Sequence, residues 1–408
     1  YYIRMQNSFK LKSERSASQD YAKRSANYYL ELVSTDLNEK ENSQYLYLAA
    51  EALNRVSSSD AEYLNVIDIY EQAAYKQNRG FAVSVTAGYA AILGYEKLKK
   101  PANSKNKVLS LALVEQRQKS IKNFAKHFPS NAKTPVLLND LANELFSSKD
   151  YKYAQKVSSR VVAFDNADKT ILYSSWLVNA HSQFELENYT QAELAYQKVL
   201  SFNLSKSKDR SILQERLAAS IYKQAENESD FELSASLYLK VVDTVPESRI
   251  VPQALYDASS QLLNSKRWNQ AIATLNHFQS AYPNHELFPE ASEKLIYAYI
   301  ENKEFISAAE KLVRVSRNTK EQTKASNYLY RAAGLYHSNG FEFEGVQLYE
   351  EFVVSYTKLF DLNMEAHSLI VDFNSKSGKN KTANEWRTRL VKYEKYNIAK
   401  RTDRSSYL

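Results

Sequence analysis

At 408 residues the chain is long enough for two ordinary domains or for one long array of repeats. It contains no cysteine, which excludes disulfides, thiol catalysis and cysteine-ligated zinc sites. Only seven glycines, seven prolines and an apolar fraction of 44% favour a folded and mostly helical chain. The formal charge of +7 is mild for this length, and we interpret it as a solvated basic surface, with attraction to an anionic partner as the alternative.

Four helices are predicted in the first hundred residues from apolar side chains at helical spacing. The fourth is followed by the sequence KKPANSKNK at 99–107, which contains Pro101 and a run of like charges, and we expect a loop there. Gly80 is expected to stop the third helix. The four predicted helices span residues 8–37, 43–55, 61–77 and 82–99.

From about Val108 to Tyr393 a position for a small residue recurs, which we call the slot. The steps between neighbouring slots are 38, 42, 37, 37, 37 and 38 residues. Bulky apolar residues follow most slots four and seven positions later, as Leu275 and Phe278 follow Ala271. This spacing predicts a stack of two-helix units rather than one globular core. The slots are Ala154, Ala192, Ser234, Ala271, Ala308, Gly345 and Ala383.

Six of the seven prolines form three pairs with members six residues apart. The first proline of each pair lies 12 residues after a slot position, the earliest of which holds Arg117. We expect each first proline to end a second helix and each second proline to lie in the first turn of the next helix. Thr134, just before Pro135, is the expected N-cap of that helix. The pairs are Pro129 and Pro135, Pro246 and Pro252, and Pro283 and Pro289.

The spacing within each unit resembles the tetratricopeptide repeat. One unit contains Trp176, Ala180, Tyr189, Ala192 and Tyr196, and another contains Leu255, Ser259, Trp268, Ala271, Leu275 and Pro283. Ile296 departs from the pattern, as does Glu342 where an aromatic residue is expected. The resemblance implies an all-α fold, a right-handed superhelical solenoid of antiparallel helix pairs with a period of about 37–38 residues; a HEAT-type repeat is the structural alternative.

The corners between units narrow this resemblance. YPNHELFPEA at 282–291 and VPESRIVPQA at 245–254 are similar to corners of bacterial cell-envelope tetratricopeptide proteins, such as the barrel-assembly lipoprotein BamD and the Tol-Pal coordinator CpoB. The likeness implies a non-catalytic scaffold in an envelope complex, periplasmic or associated with the outer membrane, with a cytoplasmic location as the alternative. The chain begins at Tyr1 rather than Met, so we expect that a signal peptide, an anchor or another segment has been removed.

We predict three regions along the chain. Residues 1–106 form an N-terminal helical region with degenerate repeats, residues 107–395 form the regular repeats, and residues 396–408 form a tail. No apolar run approaches the ~20 residues of a transmembrane helix.

No motif indicates catalysis. The six histidines lack the spacing of a helical metal site, and no glycine-rich phosphate loop is present. We therefore predict no enzyme activity, no metal, no cofactor and no nucleic-acid partner, since aromatic residues are not interleaved with the basic ones.

Binding remains as the function. In tetratricopeptide proteins the first helix of each unit lines a concave groove, and the resemblance places nine side chains there. For each of them the alternative is packing against a neighbouring helix. The groove lacks the Lys and Arg clamp that binds C-terminal carboxylates in chaperone-type relatives. Besides a protein partner, the alternatives are a cell-wall polysaccharide such as peptidoglycan and a sensed regulatory peptide. The candidates are Asn139, Asn143, Phe146, His181, Phe184, Tyr256, Tyr297, Tyr330 and His337.

Overall fold

The computed structural model describes residues 2–35, 38–76, 82–98, 107–202 and 207–405. Nineteen helices and no strands occur within these ranges, which confirms the predicted all-α class. The chain forms two compact units, Tyr1–Lys206 and Ser207–Leu408, called unit 1 and unit 2 here. The division predicted near residue 106 stays a prediction. The predicted tail begins inside the last helix, which continues to Ser405.

The described residues of unit 1 form nine helices, and those that are consecutive in the chain pack against each other. The first helices of its two regular pairs, α6 and α8, are also in contact. The nine are α1 (Tyr2–Val33), α2 (Glu39–Asn54), α3 (Asp60–Tyr75), α4 (Ala82–Leu98), α5 (Lys107–His127), α6 (Lys133–Ser147), α7 (Tyr151–Val162), α8 (Lys169–Glu185) and α9 (Tyr189–Ser201).

Over its described residues, 207–405, unit 2 has ten helices in five pairs, with the first helix of each pair carrying an even number. They are α10 (Ser207–Asn227), α11 (Phe231–Thr244), α12 (Val251–Asn264), α13 (Trp268–Ala281), α14 (Phe288–Glu301), α15 (Phe305–Asn318), α16 (Gln322–Ser338), α17 (Glu342–Ser355), α18 (Phe360–Lys376) and α19 (Asn380–Ser405).

The first four helices lie close to their predicted positions. Capping fixes two of their starts: Asn38 accepts a hydrogen bond from the backbone of Glu41 before α2, and Ser59 and Glu62 form a capping box before α3. The predicted stop at Gly80 and all but the last residue of the predicted loop at 99–107 lie outside the described residues. That last residue, Lys107, is the first residue of α5 and not part of a loop.

The slots lie in second helices and are buried, as predicted. Every second helix from α7 to α19 begins three residues before its slot, so the slots share one register. The slot is small because the partner helix is close. A Cβ added to Gly345 would lie 2.8 Å from the backbone oxygen of Ala333 and 2.8 Å from the backbone nitrogen of His337. The bulky residues that follow, such as Leu275 and Phe278, are fully buried and fill the core.

The turns inside the pairs share a backbone conformation that the sequence did not predict. In six of the seven regular pairs the residue five positions before the slot has a positive φ: Lys149, Glu187, Lys266, Lys303, Gly340 and Gly378. In the turn before α13, the amide of Lys266 donates to the carbonyl of Leu263, and that of Arg267 donates to the carbonyl of Leu262. Because these bonds satisfy the last carbonyls of the first helix, each such turn ends the first helix and sets the direction of the second helix.

The prolines mark the corners between pairs. Helices α5, α11 and α13 end two residues before Pro129, Pro246 and Pro283. Pro252 and Pro289 lie in the first turn of α12 and α14, as predicted.

The N-cap predicted at Thr134 is wrong. Thr134 is the second residue of α6, whose N-cap is Ala132. The buried Thr134 hydroxyl donates to the carbonyl of Phe128, 2.6 Å away, so it satisfies the end of α5 instead of the start of α6.

Candidate protein-binding faces

Each unit has its own first-helix face, the surface formed by the first helices of its pairs. The nine side chains predicted for a groove are divided between these two faces. Asn139, Asn143 and Phe146 lie on α6, His181 and Phe184 on α8, Tyr256 on α12, Tyr297 on α14, and Tyr330 and His337 on α16.

Two asparagines of unit 1 lie on α6 but differ in exposure. Asn139 is only 6% exposed, and its Oδ1 accepts a hydrogen bond of 2.8 Å from the Ser175 hydroxyl of α8. Asn143 is exposed and donates to the Asn139 carbonyl at 2.8 Å and to the Ser174 hydroxyl at 3.3 Å. The expectation that Asn139 faces a partner is therefore corrected, because its amide holds two first helices together. Asn143 remains accessible.

The other three candidates of unit 1 form half-buried ring contacts. The rings of Phe146 and His181 are 5.8 Å apart, and Nδ1 of His181 lies 2.7 Å from the hydroxyl of Tyr196. Phe184 meets Tyr189 edge to face at 5.4 Å. These rings pack along the face while keeping part of their surface in solvent.

In unit 2, Tyr256 belongs to the core. It is 8% exposed, and Lys294 Nζ lies 4.7 Å from its ring centroid. Burial, together with the nearby carboxylate of Glu290, raises the pKa of Tyr256 above its usual value. A partner cannot reach this side chain without a change in the fold, which corrects the prediction for Tyr256.

Tyr297 is the most accessible of the five predicted aromatic residues. It is 48% exposed and meets the half-buried ring of Trp268 edge to face, with centroids 5.9 Å apart. Trp268 begins α13 and Tyr297 lies on α14, so the two rings come from neighbouring pairs. We call them the Tyr297–Trp268 patch.

Tyr330 and His337 are half-buried on α16. The Tyr330 ring lies 5.3 Å from that of Tyr349 and 5.1 Å from that of Phe352. His337 lies 6.4 Å from Tyr349, and its buried Nδ1 has no hydrogen-bond partner among the described residues. Both side chains contribute to packing as well as to the face.

A set of tyrosine–carboxylate pairs on the face of unit 2 was not predicted. The Tyr222 hydroxyl donates to Asp257 at 2.5 Å, joining α10 to α12. A hydrogen bond to Glu293 and burial raise the pKa of Tyr328 to about 12. Burial and Glu365 likewise raise the pKa of Tyr330. The partners in these three pairs are 35 residues apart in the sequence, two residues less than the repeat period of about 37. The chain has 31 tyrosines and 47 acidic residues, so this spacing alone does not single out these three pairs among all the Tyr–carboxylate combinations.

Two kinds of feature are absent from the part of the chain that the structure describes. In these ranges no helix is long and apolar enough to span a bilayer. The same residues contain no group of three or more His, Asp or Glu side chains that could hold a metal ion.

Comparison with known proteins gives one family match. Residues 248–344, about a quarter of the chain, match the family model YfiO, described as an outer membrane lipoprotein. The matched stretch lies in unit 2 and contains α12 to α16. No curated protein sequence matches the chain significantly.

Solved structures similar to this chain include three tetratricopeptide proteins. YrrB, described as having an unusual peptide-binding site, is 14% identical, over 56% of this chain and 99% of that one, with a TM-score of 0.27. The C-terminal part of a repeat protein from Cytophaga hutchinsonii is 18% identical, over 62% and 95%, with a TM-score of 0.28. A protein from Parabacteroides merdae is 13% identical, over 68% and 98%, with a TM-score of 0.26.

At these TM-scores the fold assignment rests on the helix pairs, slots and turns of the chain itself. Together with the family match, they support a scaffold for protein interaction. The chain is a tetratricopeptide repeat protein that resembles the BamD type over residues 248–344.

Proposed function

We propose that this protein is a non-catalytic scaffold in a bacterial cell-envelope complex, and that unit 2 binds a segment of a partner protein on its first-helix face. The envelope location is supported by the match of residues 248–344 to an outer membrane lipoprotein family. The binding role is supported by the Tyr297–Trp268 patch, which lies inside that matched stretch.

The patch is the single observation that carries the proposal. An aromatic ring that is 48% exposed costs free energy in water and regains it when a partner covers it. Tyrosine also carries a hydroxyl that can hydrogen-bond at a wet interface rim, and tyrosine and tryptophan are enriched among residues that dominate binding energy. Asn143 in unit 1 is the other clearly accessible candidate, but it lies outside the matched stretch.

Site-specific photo-crosslinking tests this function. A photoreactive phenylalanine analogue replaces Tyr297 in one variant and Tyr153 in a control, since Tyr153 is a tyrosine of similar exposure, 45%, on α7. We expect a discrete crosslinked protein from native envelopes at position 297 and none at position 153. The proposal fails if position 297 gives no adduct, or if both positions give the same adducts.

A further inference from the structure

A cleft in unit 2 lies between the second helices α13 and α15 and against α14. Its volume is about 370 Å³. Pro283, Phe288 and Leu295 form an apolar wall, and the charged residues that line it are Glu310, Lys311 and Arg314. The Tyr297–Trp268 patch is not part of this cleft.

Lys311 is the unusual group in the cleft. It is half-buried on α15, and its ammonium group donates to the amide oxygen of Gln279 on α13. Its Nζ also lies 5.5 Å from the ring centroid of Phe288. Among the described residues Lys311 forms no ion pair within 4 Å, and neither does Arg314. The three N–H bonds of an ammonium group therefore have one protein acceptor.

The hydrogen bond from the Gln279 amide nitrogen to Ser292 fixes the orientation of the Gln279 side chain. The hydroxyl of Ser292 donates its hydrogen to the carbonyl of Phe288 at 3.0 Å, so toward Gln279 it can only accept. The Gln279 amide nitrogen donates to that hydroxyl at 3.2 Å, which leaves the amide oxygen for Lys311. This chain of hydrogen bonds holds the cation at a defined place beside the cavity.

Keeping the Lys311 ammonium group in this cleft costs desolvation free energy that no carboxylate within 4 Å among the described residues offsets. Burial, and secondarily the positive charge of Arg314, lower the pKa of Lys311 to about 8. The amine therefore stays mostly protonated at neutral pH while partly removed from water. An incoming anion would compensate this desolvation and supply acceptors for the free N–H bonds.

We propose that this cleft binds an acidic side chain of a partner protein, with Lys311 as the central cation and Arg314 as the outer one. A carboxylate matches the two unpaired cations. The apolar wall accommodates the methylene groups of a glutamate, which a free phosphate ion lacks. The site thus gives the scaffold a second docking point, independent of the Tyr297–Trp268 patch.

Protection from acetylation tests this in the unmodified chain. The protein is treated with a limiting amount of an acetylating reagent, alone or with a blocked hexaglutamate peptide, a blocked hexaglutamine peptide or inorganic phosphate, and the modified lysines are quantified by mass spectrometry. Lys320, exposed in the linker after α15, is the internal control. We expect hexaglutamate to slow acetylation of Lys311 at least threefold and that of Lys320 less than 1.5-fold, with hexaglutamine inactive.

A second measurement separates binding from a structural role. Anisotropy of labelled hexaglutamate should show at least fivefold weaker binding for Lys311→Met and less than twofold for Lys320→Met. The melting temperature of Lys311→Met should be unchanged or raised, because a desolvated cation is removed. Equal protection of both lysines, equal protection by phosphate, or unchanged peptide binding by Lys311→Met would each overturn the proposal. The first indicates only diffuse attraction and the second a phosphate site.

Discussion

Helices α5 and α13 carry chemically different side chains at the same position of the repeat, one large and charged and the other small and apolar. Both end two residues before a corner proline, yet the slot position holds Arg117 in α5 and Ala271 in α13. Arg117 is 6% exposed, and its guanidinium lies 2.8 Å from the carboxylate of Glu144 in α6. The residue equivalent to Glu144 in α14 is Ala298, which is fully buried.

This comparison shows that the slot requires compatibility with the next helix and not small size alone. A cation is accommodated in α5 because α6 supplies a carboxylate 27 residues later. The neighbouring helices α13 and α14 have alanine at both positions. The helix starts differ in the same way: α5 begins ten residues before its slot position, whereas the regular second helices begin three before theirs.

The largest expected effect comes from placing the arginine of α5 in α13. Ala271→Arg would bury a charge at a slot whose equivalent of Glu144 is the buried Ala298, so we expect a loss of more than about 4 kcal/mol and unfolding of unit 2. Circular dichroism melting with limited proteolysis measures this. Ala271→Ser is the control, since Ser234 occupies an equivalent slot, and it should melt within a few degrees of the wild type. An unchanged melt of Ala271→Arg would mean that the register is wrong.

The reverse change removes the carboxylate from unit 1. Glu144→Gln removes the carboxylate that lies 2.8 Å from the buried Arg117 guanidinium, and we expect a loss of about 2–4 kcal/mol, below the full value for a buried pair because the Glu144 side chain is 21% exposed. Chemical denaturation measures the free energy of unfolding. Adding Arg117→Met should recover part of this loss, because the buried charge is then gone. If the double variant is as unstable as Glu144→Gln alone, the ion pair does not explain how α5 accommodates its arginine.

A smaller effect is expected in the turns five residues before the slots. Gly340→Ala should lose about 1 kcal/mol, since φ at this position is +88° and no neighbouring atom lies within 4 Å of an added Cβ, so only backbone strain acts. Lys303→Gly, at φ +63°, should gain up to about 1 kcal/mol for the same reason. Denaturant midpoints of the two variants should therefore move in opposite directions. A loss of stability in both would indicate that the turn depends on side chains.

The smallest effect concerns the last pair, where a histidine lies between aromatic rings. His367 lies 5.6 Å from the rings of Trp386 and Tyr393, and its Nδ1–H donates to the carbonyl of Asn363 at 2.7 Å. Burial and the nearby Arg389 lower its pKa, while the bond to Asn363 opposes this. Because the unfolded chain then binds a proton more readily than the folded one, stability is complete above about pH 6.5 and falls as the pH drops below it.

Melting temperatures at pH 7.5 and pH 5.5 measure this contribution. His367→Gln should lose less stability between these two values than the wild type does. The matched variant His277→Gln, at an exposed histidine of α13, should keep the wild-type difference. Equal pH dependence in all three proteins would exclude His367 as its source.

Much of the fold follows from residues whose roles are local and repeated. The pattern of Ala271, Leu275 and Phe278 recurs about every 37–38 residues, and close packing favours paired helices for such a series, so the pairs and their register could be predicted. The turns could not, because four of the six positive-φ residues are Lys or Glu, such as Lys149 and Glu187, which rarely adopt this conformation. The prediction for Thr134 was wrong because a threonine before proline suits a cap, whereas the carbonyl of Phe128 competes for its hydroxyl.

The candidate site was less predictable, because exposure depends on contacts between pairs. Tyr256 and Tyr297 fit the same repeat rule, yet Lys294 and the neighbouring helices cover the first and leave the second open. The pair Tyr222–Asp257 depends on which first helices are adjacent, which a list of residues does not contain. The half-buried cation at Lys311 could not be predicted for a similar reason, because it is the packing of α13, α14 and α15 that partly removes it from water.

The positive-φ turns inside the helix pairs have a practical consequence for experiments. Since main-chain hydrogen bonds close them, the exposed side chains at their tips contribute little to the fold. A chain without a native thiol can therefore accept a single cysteine at Lys149, Glu187, Lys266 or Lys303. A fluorescent or spin label attached at these tips would report on individual repeats while leaving the packed interior undisturbed.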